Sequence, residues 1–156
     1  MTTTSPAAST DAIERSIHIK APRSKVWRSL SDAEQFGTWF GAALKGKTFT
    51  SGQRVEAAMT IKGCEHIMFD VIPERIEPES LMSYRWHPYT SGDEYSKEER
   101  TLVTFTLKEI DGGTLLTVVE SGFDKIPPSR RARAFASNSN GWEAQLKNVA
   151  AHAAAG

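Results

Sequence analysis

Cysteine is almost absent from this 156-residue sequence, which contains only Cys64. One cysteine cannot form a disulfide within the chain, and the first ten residues lack the basic start and apolar run of a secretion signal. Both features predict a cytoplasmic protein. An iron–sulfur cluster held by four cysteines is excluded, because the chain cannot supply the ligands.

The sequence also lacks an excess of charge, since 19 lysines and arginines balance 19 aspartates and glutamates. Binding to nucleic acid or to an anionic membrane surface relies on a basic footprint. No stretch approaches the ~20 apolar residues that span a bilayer. We therefore expect neither a nucleic-acid partner nor membrane insertion. The length fits a single domain.

Clustered metal ligands are missing as well. No pair of histidines has the i, i+4 spacing of a helical metal site, and no cofactor is predicted. The four histidines are His18, His66, His87 and His152. Residues 41–48, GAALKGKT, match the sequence pattern of a phosphate loop, G-x-x-x-x-G-K-S/T. A phosphate loop must leave a strand and open a helix, whereas this segment follows a predicted helix and enters a β-prone stretch, so we interpret it as a chance match.

The N-terminal part of the chain predicts a strand followed by two short helices. Residues 1–11 have too little apolar mass to fold and are predicted to be a disordered lead, with one domain over residues 12–153. Alternation over residues 13–19 predicts the strand. Pro22 suits the first turn of one helix, residues 31–34 have the spacing of a capping box for the next, and Gly41 can end it.

The rest of the chain predicts a run of strands and one long helix. Strands are expected over residues 47–50, 54–61, 66–76, 81–87, 101–110 and 114–121, with an irregularity at Pro73. Residues 88–99 are polar and predict a loop or lid. A helix from Pro127 to about residue 151 carries an apolar stripe that can cover the sheet. The predicted fold class is α+β, a curved antiparallel sheet of about six to seven strands around this helix.

Several short segments, in this order, resemble one fold family. They are Ile19-Lys20-Ala21-Pro22, Val26-Trp27, Trp39-Phe40, residues 76–81 (IEPESL), Tyr84-Arg85-Trp86, Gly113-Thr114, Thr117 and Gly141-Trp142. The chain resembles the helix-grip or START-like (SRPBCC) superfamily over residues 12–152, in the branch related to the C-terminal domain of the activator of Hsp90 ATPase. The resemblance implies that the first and last strands are neighbours. It also implies a chaperone-associated or regulatory role as an alternative to small-molecule binding.

Arg15 and Glu120 are the most informative polar residues. Alternation places Arg15 on the inward face of the first strand, and the family pattern places Glu120 on the inward face of the last. An isolated buried charge is costly, so we expect the two to form an ion pair. Two interpretations stay open: a pair that stabilises the sheet, and a polar anchor that orients a ligand.

Aromatic residues are numerous for so small a sheet, and ligand pockets are mostly apolar with a few polar groups. Core packing explains some of them, and we also predict a cavity between the sheet and the last helix. Its predicted lining is Trp39, Phe40, Phe69, Tyr84, Trp86, Phe105, Glu120, Phe135 and Trp142. The 88–99 loop, with His87 and Tyr89, is predicted to close the mouth.

These features predict a protein that binds an apolar or aromatic small molecule, lipid-like or polyketide-like. No catalytic residue is assigned, and enzymatic activity is not expected. A chaperone-associated or regulatory interaction protein is the first alternative. The second is a cyclase or hydrolase that uses Glu120, His66 or His87 as acid or base. The sequence leaves the oligomeric state open, a homodimer included.

Overall fold

The computed structural model describes residues 11–63, 65, 67–87 and 99–155. The elements are β1 (Ala12–Ile19), α1 (Arg23–Ser31), α2 (Ala33–Phe40), β2 (Val55–Ala58), β3 (Met68–Glu77), β4 (Leu81–Trp86), β5 (Thr101–Ile110), β6 (Gly113–Ser121) and α3 (Pro128–Ala155). The predicted disordered lead up to residue 10, the 88–98 segment with Tyr89, and Cys64 and His66 lie outside the described residues.

The six strands form one antiparallel sheet in the order β1-β6-β5-β4-β3-β2. Ile13 lies opposite Glu120 and Arg15 opposite Val118, so the first and last strands pair over their whole length. The β5–β6 turn needs Gly113, because a Cβ there would lie 2.0 Å from the carbonyl oxygen of Ile19. The register of β3 and β4 shifts between Pro73 and Ile76, which confirms the predicted irregularity. The predicted α+β helix-grip fold is confirmed.

The start of α2 differs from the predicted capping box. Asp32 is the N-cap residue, and its Oδ1 accepts the N–H groups of Glu34 and Gln35. The Ser31 hydroxyl instead donates to the carbonyl of Trp27 inside α1. Both residue types cap helices well, and here the tight α1–α2 junction brings the aspartate into position. Gly41 ends α2 in the left-handed conformation (φ 96°), as predicted.

Residues 47–50 do not form the predicted strand. This segment runs between turns, with the side chain of Phe49 buried in the core. The strand predicted over residues 54–61 is also shorter, because beyond Ala58 the backbone bonds to the end of α2: the N–H of Thr60 donates to the carbonyl of Gly41. The phosphate-loop-like string at 41–48 therefore follows a helix and opens none.

Helix α3 packs against β1, α1 and α2. Its buried side chains are Ala134, Trp142, Leu146, Val149 and Ala153. At its start, the guanidinium of Arg131 donates to the carbonyls of Phe123, Asp124 and Ile126, which ties a short 3-10 turn (Phe123–Lys125) to the helix. None of the described helices has the length and apolar character that crossing a membrane requires.

Candidate functional site

Glu120 is a fully buried carboxylate that accepts four hydrogen bonds. Its Oε1 accepts from the Trp142 indole N–H at 2.8 Å and from the Asn138 amide at 2.9 Å. Its Oε2 accepts from the Trp86 indole N–H at 2.8 Å and from the Thr101 hydroxyl at 2.5 Å. A carboxylate offers about four lone-pair sites, so these donors saturate it.

The four donors come from three separate elements. Trp86 ends β4, Thr101 begins β5, and Asn138 and Trp142 lie one turn apart on α3, where i and i+4 side chains share a face. Hydrogen bonds to an ionised acceptor are shorter and stronger than neutral ones. Glu120 therefore joins the sheet to α3 and holds the two indole rings in place.

The predicted ion pair between Arg15 and Glu120 is not formed. The guanidinium of Arg15 donates to the carbonyl of Glu14 at 2.9 Å, and its strand neighbour is Val118, one inward position away from Glu120. The long arginine side chain reaches a backbone acceptor near solvent, which avoids the cost of burying it. Glu120 is satisfied by neutral donors instead.

A cavity of about 230 Å³ lies between the end of α2, the ends of β3 and β4, and the middle of α3. Its aromatic walls are Phe40, Phe69, Trp86 and Trp142, and its aliphatic walls are Met59, Ile67 and Met68. The rings of Trp86 and Trp142 are stacked with centroids 5.7 Å apart, and Phe40 lies 5.9 Å from Trp86. The polar lining consists of Asp70 and His87 and, on α3, of Ser137, Asn138 and Gln145. Gly141 of α3 also lines the cavity.

The acidic group of this lining is Asp70, which is held by two arginines. Arg54 donates to both carboxylate oxygens of Asp70, at 2.8 and 2.7 Å, and Arg100 donates to Oδ2 at 3.4 Å. Burial alone would raise the pKa of Asp70, but the hydrogen bond from Arg54 and the charges of both arginines lower it below 3.8. Burial, then the charge of Arg100, lowers the pKa of His87 below 6.5, which favours its neutral form.

The structure brings some of the predicted lining residues together and separates others. Phe40, Phe69, Trp86 and Trp142 line the cavity, and Glu120 lies directly behind the two indoles. Four others lie outside it. The Trp39 indole donates to the carbonyl of Ser29 between α1 and α2, Tyr84 and Phe105 pack in the core, and Phe135 packs on Phe123.

Two partners of Glu120, Asn138 and Thr101, were missed by sequence reasoning. Asn138 precedes Trp142 by four residues, a spacing that puts both on one helix face and could have revealed it. No comparable signal marks Thr101, which sits next to a charged segment at the start of β5. Among the described residues, no three histidine, cysteine or acidic side chains lie close enough together to hold a metal ion.

Tyr84 carries a buried hydroxyl with no hydrogen-bond partner among the described residues. Burial and then the charge of Glu120 raise the pKa of this phenol well above 10. Since an unsatisfied buried hydroxyl costs about 1–3 kcal/mol, Tyr84→Phe should leave the free energy of unfolding unchanged or raise it by up to about 1 kcal/mol. Urea denaturation followed by circular dichroism measures this. A loss above about 1 kcal/mol would mean that the hydroxyl does have a partner.

Solved structures of other proteins have a fold similar to that of this chain. The solved structure of the protein MLL2253 from Mesorhizobium loti is 25% identical, with 90% of this chain and 95% of that one covered and a TM-score of 0.70. A solution structure of a protein from Arthrobacter aurescens (15% identity; 94% and 88% covered) reaches 0.73. The Aha1 dimer from Colwellia psychrerythraea (16% identity; 88% and 92% covered) reaches 0.64.

No curated protein matches the chain. The family model described as "Activator of Hsp90 ATPase homolog 1-like protein" matches residues 20–154, which is nearly the whole of the folded part. That range includes both indoles, Asn138 and Glu120 of the site above. On this evidence the chain belongs to the Activator of Hsp90 ATPase homolog 1-like family.

Proposed function

We propose that this protein binds a small apolar or aromatic molecule in the cavity between the sheet and α3. Its family suggests a ligand-binding or regulatory role, and the cavity favours the first. The observation that carries the proposal is the pair of stacked indoles, Trp86 and Trp142, held by the buried Glu120 and exposing ring surface to the cavity. Walls held in place before a ligand arrives reduce the entropy lost on binding.

The size of the cavity limits the ligand. A cavity of about 150 Å³ holds one benzene ring, so a space of about 230 Å³ suits a group of roughly ten heavy atoms. One substituted ring or two fused rings fit that volume. A longer lipid-like or polyketide-like molecule would extend out of the cavity next to Met68, a residue that is 50% exposed.

Gly141 supplies part of this space. It lies in the interior of α3, where glycine costs about 1 kcal/mol relative to alanine, yet a Cβ added there would meet nothing within 4 Å. Packing therefore does not require a glycine at this position. Gly141 lines the cavity next to Trp142, so the absence of a side chain there leaves that part of the cavity open.

The proposal is tested by titrating the protein with tert-butylbenzene, which has about ten heavy atoms. We expect quenching or enhancement of tryptophan fluorescence with a Kd of about 0.1–1 mM, as expected for a ligand of this size. Chemical shift changes in NMR spectra should be centred on Trp86 and Trp142. Absence of binding by this probe and by naphthalene, in a folded protein, would contradict the proposal and favour the regulatory alternative.

A further inference from the structure

Two acidic side chains lie at the cavity, and they differ in how their charge is offset. Among the described residues, Asp70 is the ionised residue of the cavity lining, and no described lysine or arginine belongs to that lining. Arg54 and Arg100 are engaged by Asp70 and lie outside the walls. Burial and the charge of Arg100 lower the pKa of His87, which favours its neutral form. Because two arginines bind Asp70, its charge is offset, and the carboxylate without a cationic partner among the described residues is the one behind the indoles.

The second acidic group is Glu120, behind the indoles. Its four donors are two indoles, an amide and a hydroxyl, and none of the ion pairs formed by the described residues includes it. Hydrogen bonds from neutral groups spread its charge but do not cancel it. A charge in a buried site is screened much less than one in water, so its field extends into its surroundings. Tyr84, whose phenol responds to the charge of Glu120, lies within that field.

The indole rings between Glu120 and the cavity strengthen this effect. A cation within about 6 Å of an aromatic face is attracted by the ring quadrupole, most strongly for tryptophan. An indole that donates its N–H to a carboxylate is polarised further, which adds electron density to the ring. Phe40 and Phe69, with centroids 5.2 Å apart, add two more faces beside Trp86.

We infer that the cavity selects a positively charged ligand, an organic amine or quaternary ammonium whose cationic group sits against Trp86 and Trp142 with the carboxylate of Glu120 behind them. This inference rests on the proposed function and adds the charge of the ligand to it. The rings supply the apolar contact, and the uncompensated carboxylate supplies the preference for a cation over a neutral molecule of the same shape.

The test compares two probes that differ in one atom. Phenyltrimethylammonium and tert-butylbenzene have the same shape, but the first has a cationic nitrogen where the second has carbon. We expect the cation to bind at least about tenfold more tightly to the wild-type chain, by tryptophan fluorescence or calorimetry. Equal affinity, or tighter binding of tert-butylbenzene, overturns the cation inference and leaves the proposed function intact. If neither probe binds, the proposed function fails with it.

Glu120→Gln separates charge from shape. Where the variant is folded and binds tert-butylbenzene as the wild type does, the cation should lose about tenfold in affinity. An unchanged cation preference in such a variant would refute the role of the carboxylate. If the variant does not fold, the alternative test is the wild-type chain with fluorinated tryptophans incorporated. Affinity for the cation should then fall with each added fluorine while that for tert-butylbenzene stays constant, and a constant cation affinity counts against the inference.

Discussion

Replacing Glu120 with alanine is expected to lower the free energy of unfolding by about 3–5 kcal/mol, the cost of removing one side of a buried charged network. The substitution leaves the indoles of Trp86 and Trp142, the amide of Asn138 and the hydroxyl of Thr101 without their acceptor. In a chain of this length, that corresponds to a fall in Tm of roughly 10–15 °C. Urea and thermal denaturation followed by far-ultraviolet circular dichroism measure both quantities.

The matched control is Glu14→Ala on the neighbouring strand β1. The side chain of Glu14 is exposed, so its removal should change the free energy of unfolding by less than about 0.5 kcal/mol. If Glu120→Ala cost no more than this control, the carboxylate would not join the sheet to α3. Trp86 and Trp142 would then not depend on Glu120 for their positions in the cavity wall.

Gly141→Leu is expected to abolish binding of the aromatic probes while leaving the fold intact. Gly141 lines the 230 Å³ cavity, and an added Cβ there meets nothing within 4 Å, so we expect a leucine side chain at this position to take up part of the cavity. Binding of tert-butylbenzene should weaken by more than about tenfold, since the probe and the new side chain compete for one volume. The free energy of unfolding should stay equal or rise by up to about 1 kcal/mol, because leucine is a better helix former than glycine.

Ala132→Leu provides the control for this substitution. Ala132 is exposed and lies nine residues earlier, which at about 100° per residue puts it on the opposite side of α3. This variant should bind the probe as the wild type does. Undiminished binding by a folded Gly141→Leu variant would show that the ligand site lies elsewhere.

The regular parts of the fold were predictable because their signals are local. The alternation over residues 13–19 and the left-handed Gly41 at the end of α2 each depend on backbone geometry within a few residues. The exceptions show where local signals fail. Residues 47–50 have high β-propensity but do not pair with a strand. Asp32 caps α2, although the capping-box pattern favoured Ser31. In both places the deciding contacts come from the surrounding chain.

The site was predictable only in part. The family resemblance placed Glu120 on the inward face, and four of the aromatic residues of the predicted set do line the cavity. The partner of Glu120 was predicted wrongly, because charge reasoning called for a cation and Arg15 was the inward candidate. Several neutral donors that meet at one carboxylate can satisfy its hydrogen-bonding capacity as well as a cation can. The spacing of residues in the sequence does not show which donors will meet.

The sequence by itself determined most of the element types, the antiparallel pairing of consecutive strands and the helix that covers the sheet. These follow from periodicity and turn chemistry, which act over a few residues. The tertiary structure alone decided which side chains meet: two indoles, an amide and a hydroxyl from β4, β5 and α3 around one carboxylate. It also decided that Gly141 lines a cavity. Contacts between distant segments depend on the packing of whole elements, and that packing has no local signature in the chain.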